Sequence, residues 1–159
     1  MIETPQKSSR QVRERKVRVG KSGVHGKGVF TVRKIRKGAR IIEYTGERIS
    51  WKKAQQLPAH DPKNPHHTFF FSLDDGRVID AGVGGNEARW INHSCEPNCE
   101  TSESKGRVYV FALCTLKARE ELFYDYRLEP AEPRTEKLER LFRCNCGSAN
   151  CRGTMLELL

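Results

Sequence analysis

Apolar residues recur along the chain in short alternating runs, with little of the three-to-four spacing that marks long amphipathic helices. Val17 and Val19 alternate with basic residues. Val29-Phe30-Thr31-Val32 follows a turn punctuated by Gly20, Gly23, Gly26 and Gly28. Ile41 to Tyr44, Thr68 to Leu73, Arg77 to Ile79, Val108 to Leu113 and Leu122 to Tyr126 complete the predicted strands. Asp74-Asp75-Gly76 joins two of them as a hairpin turn. Helix is confined to two short pieces. Ser50 is placed to cap Trp51 to Leu57, which Pro58 stops, and Leu138, Leu141 and Phe142 share one face of Glu132 to Phe142. His60 to His67 reads as a loop. The pattern predicts a mostly β fold of several small sheets.

A chain of 159 residues, 36% of them hydrophobic, suits one domain with a modest core. The expected boundaries are a flexible basic arm over 1–15, a folded domain over 16–130 and a Cys-rich segment over 131–159. No run of eighteen apolar residues offers a membrane-spanning helix. The first thirty residues lack the apolar centre of a secretory leader, so an intracellular setting is expected. Charge changes the picture more. Residues 1–40 hold 13 basic and 2 acidic side chains, a balance of +11, whereas residues 41–159 hold 16 and 18, a balance of −2. A near-neutral domain thus carries a basic N-terminal third, suited to an anionic partner such as nucleic acid.

Three of the six cysteines lie within eight residues, as Cys144-x-Cys146-x4-Cys151. A structural zinc takes four tetrahedral ligands, and a tail too small to bury a core gains most from such a staple. The fourth ligand has to come from elsewhere. Cys114 continues the alternation of Val110 and Ala112 and reads as a small core residue. Cys95 follows Asn92-His93-Ser94 and precedes Pro97 in a loop, but spacing leaves the choice between Cys95 and Cys99 open.

Arg89-Trp90-Ile91-Asn92-His93-Ser94-Cys95-Glu96-Pro97-Asn98 resembles the signature of SET-domain protein-lysine methyltransferases. Four further segments resemble that family's motifs in its order. They are His25-Gly26-Lys27-Gly28-Val29-Phe30, Glu43-Tyr44-Thr45-Gly46-Glu47, Glu121-Leu122-Phe123-Tyr124-Asp125-Tyr126, and Cys144-Asn145-Cys146-Gly147-Ser148. The resemblance runs from about Val17 to Met155 and is of the trithorax-like type, including small stand-alone bacterial members.

The resemblance implies a SET fold of small curved sheets with a pseudoknot-like core and a C-terminal zinc-binding post-SET segment. It implies zinc held by Cys95, Cys144, Cys146 and Cys151. The implied activity is methyl transfer from S-adenosylmethionine (SAM) to a lysine of a histone or histone-like basic protein. Cofactor contacts carry over to His25, Lys27, Gly28, Phe69, Arg89, Asn92, His93 and Asn145. Tyr126 matches the catalytic tyrosine, and Tyr44 a wall of the lysine channel. Tyr124 occupies a position where a tyrosine restricts space, favouring mono- or dimethylation. Phe69 is a departure, because trithorax-like relatives often carry Tyr before the acidic hairpin turn. The alternative reading is an inactive SET-fold module that docks on chromatin or nucleic acid through its basic arm. No cysteine precedes Cys95, so no pre-SET zinc cluster is expected.

Overall fold

The structure is a computed structural model that describes residues 15–63, 68–130 and 132–157. Most of the expected arm, and the middle of the loop after the first helix, lie outside the described residues. Ten short strands form four small sheets among the described residues. β1 (Val17–Lys21) pairs antiparallel with β2 (Lys27–Thr31), as the glycine-punctuated turn between them requires. β3 (Arg40–Tyr44), β8 (Cys99–Ser104) and β9 (Arg107–Ala112) form a second sheet in the order β3-β9-β8. β4 (Glu47–Ser50), β5 (Phe70–Ser72) and β6 (Arg77–Asp80) form a third, with β6 central. The fourth is a two-residue parallel pairing of β7 (Asn92–His93) with β10 (Phe123–Tyr124).

Alternation explains what is buried. Val108, Val110 and Ala112 of β9 point inward with Ile79 of the central strand β6, and Ile91 and Leu122 close the same core. Val78, on the opposite face of β6, packs with Ile49 and Ala54 in a second, smaller cluster. α1 (Trp51–Gln56) starts where Ser50 Oγ accepts the Lys53 N–H at 3.1 Å. α2 (Glu136–Leu141) is capped by Thr135 and buries no residue. It is shorter than the Glu132 to Phe142 span the sequence suggested.

Three strands lacked a sequence signal. β8 reads Cys-Glu-Thr-Ser-Glu-Ser, yet it pairs along its whole length with β9. The hairpin between them turns at Lys105 and Gly106, with φ of 52° and 74°. That mirror-type turn matches the twist of the strands. β4 and β7 are too short to show a period. One reading is overturned: Cys114 is exposed. β9 ends at Ala112, so the alternation that placed Cys114 inside stops before reaching it.

The parallel β7–β10 pairing positions the site, because it lays Asn92 and His93 beside Phe123 and Tyr124. Asn98 holds that junction. Its Nδ2 donates to the Glu121 carbonyl at 2.8 Å, and its Oδ1 accepts the Phe123 N–H at 2.8 Å.

Candidate active site

A cavity of about 260 Å³ opens between the glycine turn, the loop after α1 and the segment before β7. His25, Gly26, Lys27, His60, Asp61, Phe69, Arg89, Trp90 and Asn92 line it. Asn92 Nδ2 donates to the carbonyls of His25 (3.0 Å) and Lys27 (2.9 Å), fastening the turn over the cavity. Lys27 Nζ sits 4.5 Å from the Trp90 ring centre, and Trp90 packs edge-on against Phe69 at 4.9 Å. Arg89 carries a buried Nε with no hydrogen-bond partner among the described residues. A buried donor in that state is a natural place for a ligand acceptor.

Beside the cavity lies a cluster of aromatic rings. Tyr124 and Tyr126 are 5.0 Å apart, Phe71 is 6.5 Å from Tyr124, and Tyr44 is 5.3 Å from Phe71. Two hydroxyls of the cluster donate to main-chain carbonyls around the cavity. Tyr44 Oη donates to Phe69 O at 2.9 Å, and Tyr126 Oη to Ile91 O, the residue before Asn92, at 2.5 Å. Burial pushes all three phenols above the ordinary tyrosine value, with the neighbouring tyrosines adding to the effect at Tyr44 and Tyr126. They are therefore neutral hydrogen-bonding groups at physiological pH, not bases.

The sequence reading missed two lining residues, His60 and Asp61. His60 Nε2 lies 2.8 Å from Asp80 Oδ1, and its Nδ1 accepts the Phe69 N–H at 3.2 Å. An isolated histidine in a loop of Pro and Asn gives no hint of this, since its partners come from two other elements.

On the other side of the tyrosines, Cys95, Cys144, Cys146 and Cys151 converge, with all four sulfurs within 4.8 Å of one another. Cys95 Sγ is 3.7 Å from Cys144 Sγ and 3.9 Å from Cys151 Sγ. Four thiolates around a zinc, with bonds of about 2.3 Å, sit about 3.8 Å apart, so the donor set fits a tetrahedral ion. Main-chain N–H groups of Cys146, Arg152 and Gly153 point at Cys144, Cys95 and Cys151 sulfurs, each at 3.4 Å. Burial raises the Cys95 and Cys144 thiols. In Cys146 burial acts the same way but is outweighed, chiefly by the Ser148 hydroxyl, which draws it down to about 5. A bound dication would supply the charge that ionises the rest. Cys99, the rival fourth ligand, is buried away from this cluster, and burial pushes its thiol up to about 12.

Of the residues carried over as cofactor contacts, His25, Lys27, Phe69, Arg89 and Asn92 line the cavity. His93 instead faces the tyrosines and the cysteines, with Nδ1 accepting the Tyr126 N–H at 3.0 Å and Nε2 at 3.4 Å from Cys95 Sγ. Burial lowers it to about 4, Asp125 pulling against that and Arg152 reinforcing it. Gly28 is buried where a Cβ would collide with the Glu121 carboxylate. Asn145 is exposed in the tail, outside the cavity lining.

Residues 26–127, well over half the chain, match the family profile described as SET domain. The chain is 37% identical over 150 residues to a histone-lysine N-methyltransferase, H3 lysine-4 specific, of Candida albicans, covering 89% of this chain and 14% of that protein. It is 39% identical over 140 residues to histone-lysine N-methyltransferase 2B of Homo sapiens, covering 86% of this chain and 5% of that protein. Among solved structures, a chain of an apo ctPRC2 assembly bearing two substitutions in Ezh2 aligns with a TM-score of 0.62 at 32% identity. That alignment covers 69% of this chain and 15% of the other. The chain therefore spans a small fraction of the curated relatives it matches.

Proposed function

The chain belongs to the SET-domain family, and from that premise we propose that it is a SAM-dependent protein-lysine N-methyltransferase acting on a histone or histone-like basic protein. The observation that carries this reading is the shared boundary of cavity and tyrosine cluster. Phe69 lines the cavity and accepts the Tyr44 hydroxyl, while Ile91, next to the lining Asn92, accepts that of Tyr126.

When bound, SAM supplies a methyl carbon already activated by a sulfonium. The chain's own task is therefore positioning and electrostatics. His25, Lys27, Phe69, Arg89 and Asn92 would hold the cofactor in the cavity, with Lys27 and the orphaned Arg89 Nε suited to its carboxylate and other acceptors. The incoming lysine has to be neutral to use its lone pair. The aromatic surface of Tyr44, Phe71, Tyr124 and Tyr126 disfavours an ammonium by desolvation. Tyr126 spends its proton on Ile91 O, which leaves its oxygen free to accept from the amine and aim the lone pair. A phenol held neutral by burial orients the amine and does not take its proton, so that proton leaves to solvent. Tyr124, fully packed beside Tyr126, limits room around the amine and favours mono- or dimethylation.

Cys95, Cys144, Cys146 and Cys151 would hold one structural zinc that pins the tail against this cluster. The basic N-terminal arm over 1–15, backed by the basic first strands, is read as a contact for nucleic acid or nucleosomes, separate from turnover. Residues 15–40 alone carry ten Lys and Arg and no Asp or Glu.

The test is transfer of radiolabelled methyl from SAM to a histone mixture, with mass spectrometry of the product. Tyr126→Phe should lower kcat by about a hundredfold with little change in SAM affinity. Absence of both SAM binding by calorimetry and methyl transfer by the wild-type protein would sink the enzyme reading in favour of a docking module.

A further inference from the structure

His60 belongs to no motif, yet it joins Phe69 of the cavity wall to the buried Asp80. Its imidazole uses both nitrogens: Nδ1 accepts the Phe69 N–H at 3.2 Å, so Nε2 carries the proton and donates it to Asp80 Oδ1 at 2.8 Å. Asp80 is deeply placed, with its side chain 3% exposed, and the same oxygen accepts the Gly82 N–H at 2.8 Å. The ring packs at a tilt against Phe69 at 5.2 Å and edge-on against Phe70 at 4.8 Å. Its seat is cut to shape, since a Cβ on Gly82 would come within 2.6 Å of the imidazole.

Phe69 is the residue this clasp acts on. Its N–H is held by His60, and its carbonyl by Ala81 N–H at 3.0 Å and the Tyr44 hydroxyl at 2.9 Å. Its side chain lines the cavity and packs on Trp90. One residue thus joins cavity wall and tyrosine cluster, and the loop after α1 reaches across to fix it. We propose that His60 is a positioning residue of the methyl-transfer site, acting through Phe69 to set the cavity wall and the Tyr44 hydroxyl together. The inference rests on the function proposed above, in that its consequence is read in SAM affinity.

Two substitutions separate its halves. In His60→Asn the side-chain oxygen replaces Nδ1, keeping the Phe69 bond and losing Asp80. In His60→Gln the side-chain amide replaces Nε2, keeping the Asp80 bond and losing Phe69. Leaving a buried carboxylate without its donor is costly, so the Asn variant is the less stable of the two. Leaving Phe69 unheld disturbs the wall, so the Gln variant binds SAM about tenfold more weakly, while the Asn variant stays within about threefold of wild type. Stability and affinity therefore cross. A merely structural role would make them fall in parallel, and that result overturns the proposal.

Amide exchange at Phe69, followed by NMR without cofactor, decides the clasp by itself. Exchange faster in His60→Gln than in His60→Asn supports it, and equal exchange refutes it. If the wild-type protein binds no SAM, the positioning role falls together with the enzyme reading. The amide exchange then still reports whether His60 holds Phe69.

Discussion

The tyrosine cluster is closed from two sides, and the two closures are built differently. On the sheet side, Asp80 sits at the end of the central strand β6, next to Ile79 and Ala81, each 1% exposed. Its partner is the His60 imidazole, 2.8 Å away. On the tail side, Asp125 between Tyr124 and Tyr126 meets Arg152 in a two-pronged pair at 2.7 and 3.0 Å, each side chain under a fifth exposed. Burial works against the Asp125 carboxylate, and Arg152 overrides it and holds it below the usual range. Arg152 directly follows Cys151, so this pair ties the cysteine cluster to the tyrosines. The tail has little apolar anchorage, chiefly Leu156 at 0% exposure, and α2 buries nothing. Hydrophobic burial closes one side. The Asp125–Arg152 ion pair closes the other, beside a four-cysteine cluster whose donors fit a zinc ion.

The largest test of that contrast is metal removal. Stripping the protein with a strong chelator, or substituting Cys144→Ser, should abolish methyl transfer and raise amide exchange across 143–157. The sheets from β1 to β9 should keep their protection, because their core does not depend on the tail. Full activity in metal-free protein would refute closure by the metal. A smaller effect is expected from Arg152→Ala, about tenfold in kcat/KM with zinc content unchanged, since a largely buried carboxylate loses its charged partner. Arg152→Lys should recover only part of this, because an ammonium cannot make the two-pronged contact.

The smallest effect under ordinary conditions appears only in alkali. Unfolded tyrosines ionise near pH 10, whereas Tyr44, Tyr124 and Tyr126 stay protonated when folded. Above pH 10 the native chain then holds up to three more protons than the unfolded one, so stability falls as pH rises. Denaturant midpoints between pH 9 and 11 measure it, and an unchanged midpoint would contradict the burial of the phenols. Tyr124→Phe should soften this fall.

Much of the fold could be read from the chain. Alternation over Val108 to Ala112 marked a strand because one face of it is buried, and Ser50 marked a helix start because its hydroxyl replaces a missing backbone partner. β8 could not be read so. It is an edge strand of polar residues, held by its pairing with β9 and a turn at Lys105-Gly106, and edge pairing leaves little trace in hydrophobicity. Cys114 misled because alternation was extended one step past the end of β9.

The sequence by itself determined the class of the protein, since glycine turn, Asn-His motif, tyrosine motif and cysteine tail occur in order with their spacing. Residue types and short-range spacing are properties of the chain, and no folding is needed to see them. Spacing alone left Cys95 and Cys99 open, the family resemblance pointed to Cys95, and the tertiary structure brings Cys95 to the tail cysteines. That His60 reaches Asp80 and Phe69 was decided by the tertiary structure alone. It also decided that Tyr44 and Tyr126 hang from two carbonyls around one cavity. These contacts span 9 to 56 residues of chain. Contacts at such distance depend on which sheets stack and in which register, and those are fixed by collective burial of the core, which no local run of residues encodes.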